Sequence, residues 1–123
     1  MKLLESGEMY LETVYVLSKE LTTVRAIDIC DYRGVSKPSV SRAVGLLKEG
    51  GYLEVGADGG LTLTEIGVSV AEKIYERHTV LTKYLVSLGV SETVASEDAC
   101  KIEHVISDET FKAVKNNLNK KRP

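Results

Sequence analysis

The sequence predicts a mostly α fold with one small β-hairpin, on three observations. Apolar residues recur at helical spacing over most of the chain, as in Tyr10, Val14 and Leu17. Ser36, Thr64, Ser91 and Ser107 each stand just before such a run, where a hydroxyl suits a helix N-cap. One stretch, YLEVGADGGLTLT, departs from the helical pattern: two short runs of strand-forming residues flank a Gly-rich turn.

Taken in order, the first helix is expected from about Leu4 to Glu20. At ~100° per residue, Tyr10, Val14, Leu17 and Leu21 form its core stripe, and Met9 and Glu12 lie on a neighbouring face. A short helix over Ile27 to Tyr32 ends at Gly34, which can take the left-handed cap conformation. A third helix follows Ser36, with Pro38 in its first turn, where the missing N–H costs nothing. Val40, Val44 and Leu47 face inward, and Gly50-Gly51 stops the helix. The hairpin pairs Leu53 to Val55 with Leu61 to Leu63. Helix, helix, turn, helix and a two-stranded wing make a winged helix-turn-helix domain over residues 1–63.

Thr64 then caps a long helix reaching about Leu88, with Ile66, Val70, Ile74, Leu81, Leu85 and Leu88 along one arc. About 25 helical residues exceed what a wing domain needs, so a helical second domain is expected over residues 64–123. Gly89 breaks the chain, Ser91 caps a helix to about Val105, and Ser107 caps a last one from Asp108 to about Leu118. Two short helices cannot build a core alone. They must pack on the long helix, on the first helix, or on a second copy.

The apolar (43%) and charged (28%) fractions are those of a folded globular protein, which excludes extensive disorder. No apolar run approaches the ~18 residues of a membrane span, and the first residues lack the apolar stretch of a signal peptide; a cytoplasmic protein is expected. A net charge of −2 speaks weakly against nucleic acid, but its distribution does not. From Arg33 to Lys48 there are basic residues and no acid, and they coincide with the third helix and its N-terminus. In a helix-turn-helix that end enters the major groove of double-stranded DNA. Ser36, Lys37, Pro38, Ser39, Ser41 and Arg42 lie near its start. Arg42 is the candidate for base contact, and Lys37, Ser39 and Lys48 for phosphate.

SEDACKIEHVIS gathers one of two cysteines and one of two histidines around a carboxylate. If the helix continues to Val105, Cys100, Glu103 and His104 share a face within roughly 100°, opposite Ala95, Ala99, Ile102 and Ile106. His78 lies beside the apolar stripe of the long helix, and Met9 and Glu12 lie off the stripe of the first. Together Met9, Glu12, His78, Cys100, Glu103 and His104 offer S, N and O donors, a ligand set for a divalent transition metal rather than Ca²⁺ or Mg²⁺. Cys30 has no ligand neighbours in sequence and reads as a buried structural thiol.

EMYLETVYVLSKE, VSKPSVSRAVGLLKEGGYLE, LTEIGVSVAEKIYERH and EDACKIEHVIS, in that order, resemble the diphtheria-toxin-repressor family of metal-dependent transcriptional regulators. The resemblance covers nearly the whole chain. It implies a homodimer that binds a palindromic operator, with a helical domain that dimerises and shares a metal site with the first helix. Met9, Cys100, Glu103 and His104 match the family's iron-type primary site. His78 matches a histidine of both iron and manganese types, and Glu12 a manganese-type ligand. Softer donors at Met9 and Cys100 favour Fe(II), with Co(II), Ni(II), Zn(II) and Mn(II) as further candidates. The resemblance also shows departures. Thr82 and Ser96 stand where ancillary iron-type ligands are expected, the wing lacks Lys and Arg, and the iron-type C-terminal SH3-like domain has no counterpart, which implies the short form of the family. Ile27 stands where a capping serine is common, so the second helix is expected to start raggedly.

Metal binding would require a deprotonated Cys100 and neutral His104, so activation should weaken as pH falls. Two rival readings are a manganese-responsive repressor and a winged-helix protein-interaction module with a vestigial metal site. An enzyme is not expected: there is no Gly-rich substrate loop and no His-x-x-x-His pair, hence no small-molecule substrate.

Overall fold

The computed structural model describes residues 5–120. Its elements are α1 (Glu5–Ser18), α2 (Ala26–Arg33), α3 (Lys37–Glu49), β1 (Leu53–Val55), β2 (Leu61–Leu63), α4 (Glu65–Ser87), α5 (Glu92–Ile102) and α6 (Asp108–Lys120). They form two compact units, one ending at Glu72 and the other beginning at Lys73. The expected start of the first helix at Leu4 lies outside the described residues.

In the first unit the core is built from Tyr10, Leu11, Val14 and Leu17 of α1 with Ile29, Val40, Leu47, Leu53 and Leu61. Each helix is delimited by its own chemistry. Asp28 accepts a hydrogen bond from the Arg25 backbone N–H (2.8 Å), so α2 starts cleanly and not raggedly at Ile27. It ends at Gly34, whose φ of 67° is the left-handed cap that glycine takes without strain. The Ser36 hydroxyl accepts from the Ser39 N–H (3.3 Å) at the start of α3.

β1 and β2 pair antiparallel, Leu53 opposite Leu63 and Val55 opposite Leu61. The wing is tied to the chain before α2 by the Leu61 N–H, which donates to the Val24 carbonyl (2.7 Å). Thr64 caps α4 through the Gly67 N–H (3.2 Å).

In the second unit Ile74, Leu81, Ala95, Ala99, Phe111 and Leu118 are buried. Ser91 caps α5 and Ser107 caps α6 by accepting from the N–H groups of Val94 and Thr110. No helix among the described residues is long and apolar enough to cross a membrane.

Several core assignments need correction. Leu21, Ile66 and Leu88 are exposed. Leu21 lies beyond α1, which stops at Ser18, and Leu88 beyond α4, so the helical wheel no longer applies to either. Ile66 sits in the first turn of α4, where Gly67 rather than its neighbour faces the protein. Cys30 is half-buried against the core instead of fully enclosed.

Candidate metal centre

α4 carries Arg77 and His78 on consecutive positions, and α5 carries Cys100 in its last turn. α5 stops at Ile102, with Glu103 as its C-cap and His104 in the following turn. The expected continuation to Val105 is thus three residues too long, and His104 falls in the turn rather than on the helix. What brings these residues together is the turn. Glu103 still has αR dihedrals (φ −58°, ψ −25°), and the Val105 and Ile106 N–H groups both donate to the Ile102 carbonyl.

The donor atoms of His78, Cys100 and Glu103 all lie within 4.8 Å of one another. Glu103 is 0% exposed and stands at the middle of the cluster. Its Oε2 is 3.0 Å from His78 Nδ1, and its Oε1 is 3.4 Å from His104 Nε2 without making a hydrogen bond. The other ring nitrogen of His78 faces the Ser96 hydroxyl at 3.4 Å. A buried carboxylate is costly unless a cation compensates it. One carboxylate, one thiol and imidazole nitrogen at this spacing fit a divalent transition ion by donor type and by separation.

Arg77 organises this turn, a role that sequence reasoning missed. Its side chain is 8% exposed. Nη1 donates to the carbonyls of Glu103 (3.1 Å) and Ile106 (2.7 Å), and Nη2 donates to the Asp108 carboxylate at the start of α6. The guanidinium also lies over the Phe111 ring, 5.6 Å from its centroid. Asp108 is held below the usual carboxylate range, first by its hydrogen bond from Lys73 and then by that from Arg77. A signal was present in the sequence: Arg77 is three residues after Ile74 and four before Leu81, on the buried stripe itself.

Thr82 donates its hydroxyl to the His78 carbonyl (2.7 Å) on its own helix and so stays out of the cluster, whereas Ser96 touches it. In the first unit, Met9 is half-buried against the core, and Glu12 is only 4% exposed. The Thr13 hydroxyl donates to the Met9 carbonyl (2.8 Å).

On α3, Ser36, Lys37, Pro38, Ser41, Arg42 and Lys48 are exposed, while Ser39 is half-buried. The Ser36 hydroxyl also donates to that of Ser39 (2.9 Å), so the two hydroxyls are engaged with each other at the cap.

Residues 2–61 match the family model described as the iron dependent repressor N-terminal DNA binding domain. Residues 64–122 match the iron dependent repressor metal binding and dimerisation domain. The chain belongs to the iron-dependent repressor family. It is 34% identical to an uncharacterized HTH-type transcriptional regulator of Methanocaldococcus jannaschii, covering 90% of each chain. It is 35% identical to the transcriptional regulator MntR of Escherichia coli, over 85% of this chain and 67% of that one. Among solved structures it is similar to the manganese regulator SloR, with a TM-score of 0.84 and 27% identity. That match covers 92% of this chain but only 53% of SloR, so the chain spans about half the length of that relative.

Proposed function

We propose that this member of the family is a metal-activated transcriptional repressor, with Fe(II) as the favoured ion. The observation that carries the reading is the cluster of His78, Cys100 and Glu103, with His104 beside the same carboxylate. An ion bound there would supply a positive charge that holds donors from different helices in one arrangement. Glu103 supplies charge, and His78 and His104 turn ring nitrogens toward its two oxygens. Cys100 supplies a soft donor, which favours Fe(II), Co(II), Ni(II) or Zn(II) over Mn(II). Met9 and Glu12 are assigned as further donors on the strength of the family resemblance alone.

DNA binding is assigned to α3, on which Lys37, Arg42 and Lys48 are all exposed. Arg42 is taken to read a base, with Ser36, Lys37, Pro38, Ser39, Ser41 and Lys48 around it at the backbone. Two copies in a homodimer present two α3 helices, whose separation must match about one helical turn of DNA, ~34 Å, or a multiple of it. Fixing that separation raises affinity for a palindromic operator without a new DNA contact. The protein is proposed to work in the cytoplasm and to use no small-molecule substrate.

A manganese-responsive repressor is the second reading, favoured by the resemblance to MntR and by the carboxylate at Glu12. The test is selection of bound duplexes from a random DNA pool, with Fe(II), with Mn(II) or with chelator, under anaerobic conditions. A palindromic sequence enriched with metal and absent with chelator is the expected result. No enrichment at low salt with either metal would leave a protein-interaction module as the better reading.

A further inference from the structure

Arg33, at the end of α2, reaches back to α1. Its Nη2 lies 3.7 Å from Glu12 Oε1, and its Nε donates to the Thr13 hydroxyl at 2.7 Å. The same hydroxyl donates to the Met9 carbonyl and has Met9 Sδ 3.9 Å away. One arginine of the helix-turn-helix is therefore attached to the segment of α1 that holds both of its proposed donors. Glu12 and Thr13 are 4% and 0% exposed, so the carboxylate sits where an uncompensated charge is costly. At 3.7 Å the guanidinium neutralises that charge without hydrogen-bonding Oε1. Arg33 thus holds two neighbouring residues of α1, Thr13 by a hydrogen bond and Glu12 by charge.

We propose that Arg33 is the resident counter-cation of Glu12, occupying the charge position a divalent ion would take and thereby setting how much metal is needed to claim the carboxylate. The proposal rests on the reading of Glu12 as a donor. A guanidinium and a divalent ion compete for one carboxylate because each neutralises it and each repels the other. Metal-free protein keeps Glu12 satisfied through Arg33. Loss of that pairing on metal binding changes the restraint on the last turn of α2, which ends three residues before the cap of α3 at Ser36. Arg33 thus also provides a direct physical link between the donor segment of α1 and the DNA-binding helices. This makes Arg33 a threshold-setting residue and not a ligand.

The test uses Co(II), titrated into the full chain and followed by absorbance and calorimetry, with Glu12→Gln, Arg33→Gln, Arg33→Lys and the double variant Glu12→Gln/Arg33→Gln. Arg33→Gln should tighten Co(II) binding by about tenfold, within the coupling expected of groups in contact. Arg33→Lys should fall between it and the unaltered protein, and in the Glu12→Gln background Arg33→Gln should change nothing. Thermal melts of the metal-free proteins give an independent readout. Arg33→Gln should lower the midpoint by removing a cation that faces a buried carboxylate, and the double variant should recover it. If Glu12→Gln weakens Co(II) binding while Arg33→Gln leaves it unchanged or weaker, the proposal about Arg33 fails alone. If Glu12→Gln has no effect on Co(II), Glu12 is not a donor and both readings fall.

Discussion

Glu103 Oε2 lies 3.0 Å from His78 Nδ1, in a site where Glu103 has no solvent exposure at all. A buried carboxylate between two imidazoles contributes little net stability by itself, because desolvation offsets the attraction. Glu103→Gln should therefore leave the metal-free melting midpoint unchanged or higher, while abolishing most of the rise that metal produces. Differential scanning calorimetry with and without Co(II) checks both halves. A large drop in the metal-free midpoint would mean that the carboxylate is structural.

Arg77 should matter to both stability and metal affinity, through the turn it holds. Arg77→Met leaves the Glu103 and Ile106 carbonyls without their donor and releases Asp108. The expected cost is about 2–4 kcal/mol in urea unfolding, from unsatisfied buried acceptors. Because those carbonyls fix the backbone of Glu103, Co(II) affinity should also fall by roughly 10–100-fold, as for groups that orient ligands. An unchanged affinity in a folded Arg77→Met protein would separate Arg77 from the site.

Both effects depend on where α5 ends, and there the sequence was least legible. The hairpin, the Ser36 cap and Gly34 were readable because each is a local signal, satisfied within a few residues. Glu103 and His104 stand side by side, but His104 is placed by the turn after Ile102 and not by the helical wheel. Arg77 and Arg33 went unrecognised because their partners are remote in sequence: Arg77 meets Ile106, and Arg33 meets Glu12 and Thr13. A charged residue on a buried stripe is visible in sequence, while the carbonyls it satisfies are not.

Acid should weaken the α6 attachment. The Asp108 carboxyl is depressed in the folded protein by Lys73 and Arg77, so its contribution is present above the ordinary carboxylate pKa and is lost as pH falls through the lower folded value. Asp108→Asn should therefore flatten the acid limb of the stability profile and leave the neutral-to-alkaline part almost parallel to it. Thermal melts from about pH 6 down to about pH 2 cover the window. An acid limb identical to that of the unaltered protein would contradict this assignment.

The close packing of α4 on the wing predicts a further sensitivity. A Cβ at Gly67 would collide with the Tyr52 carbonyl oxygen, which is held there by accepting from the Thr64 N–H (3.1 Å). Gly67→Ala should cost about 1–3 kcal/mol through backbone displacement. Because the strain falls at the wing, DNA affinity should suffer more than Co(II) affinity. Equal losses in both would argue against a local effect.

Arg42→Ala should weaken operator binding by about 1–3 kcal/mol and relax selectivity at one base pair, with Co(II) affinity unchanged. Lys48→Ala should instead weaken all duplexes alike and reduce the salt dependence. Fluorescence anisotropy at several salt concentrations distinguishes the two.

The most direct measurement is an anaerobic titration of the metal-free protein with Co(II), followed by thiolate-to-metal charge-transfer absorbance, with Cys100→Ala alongside and Fe(II) and Mn(II) as competitors. A charge-transfer band that is lost in Cys100→Ala, with Fe(II) competing more strongly than Mn(II), is the predicted result. No band, or a band that survives Cys100→Ala, would show that Cys100 is not a donor and would contradict the assignment of this cluster as the metal centre.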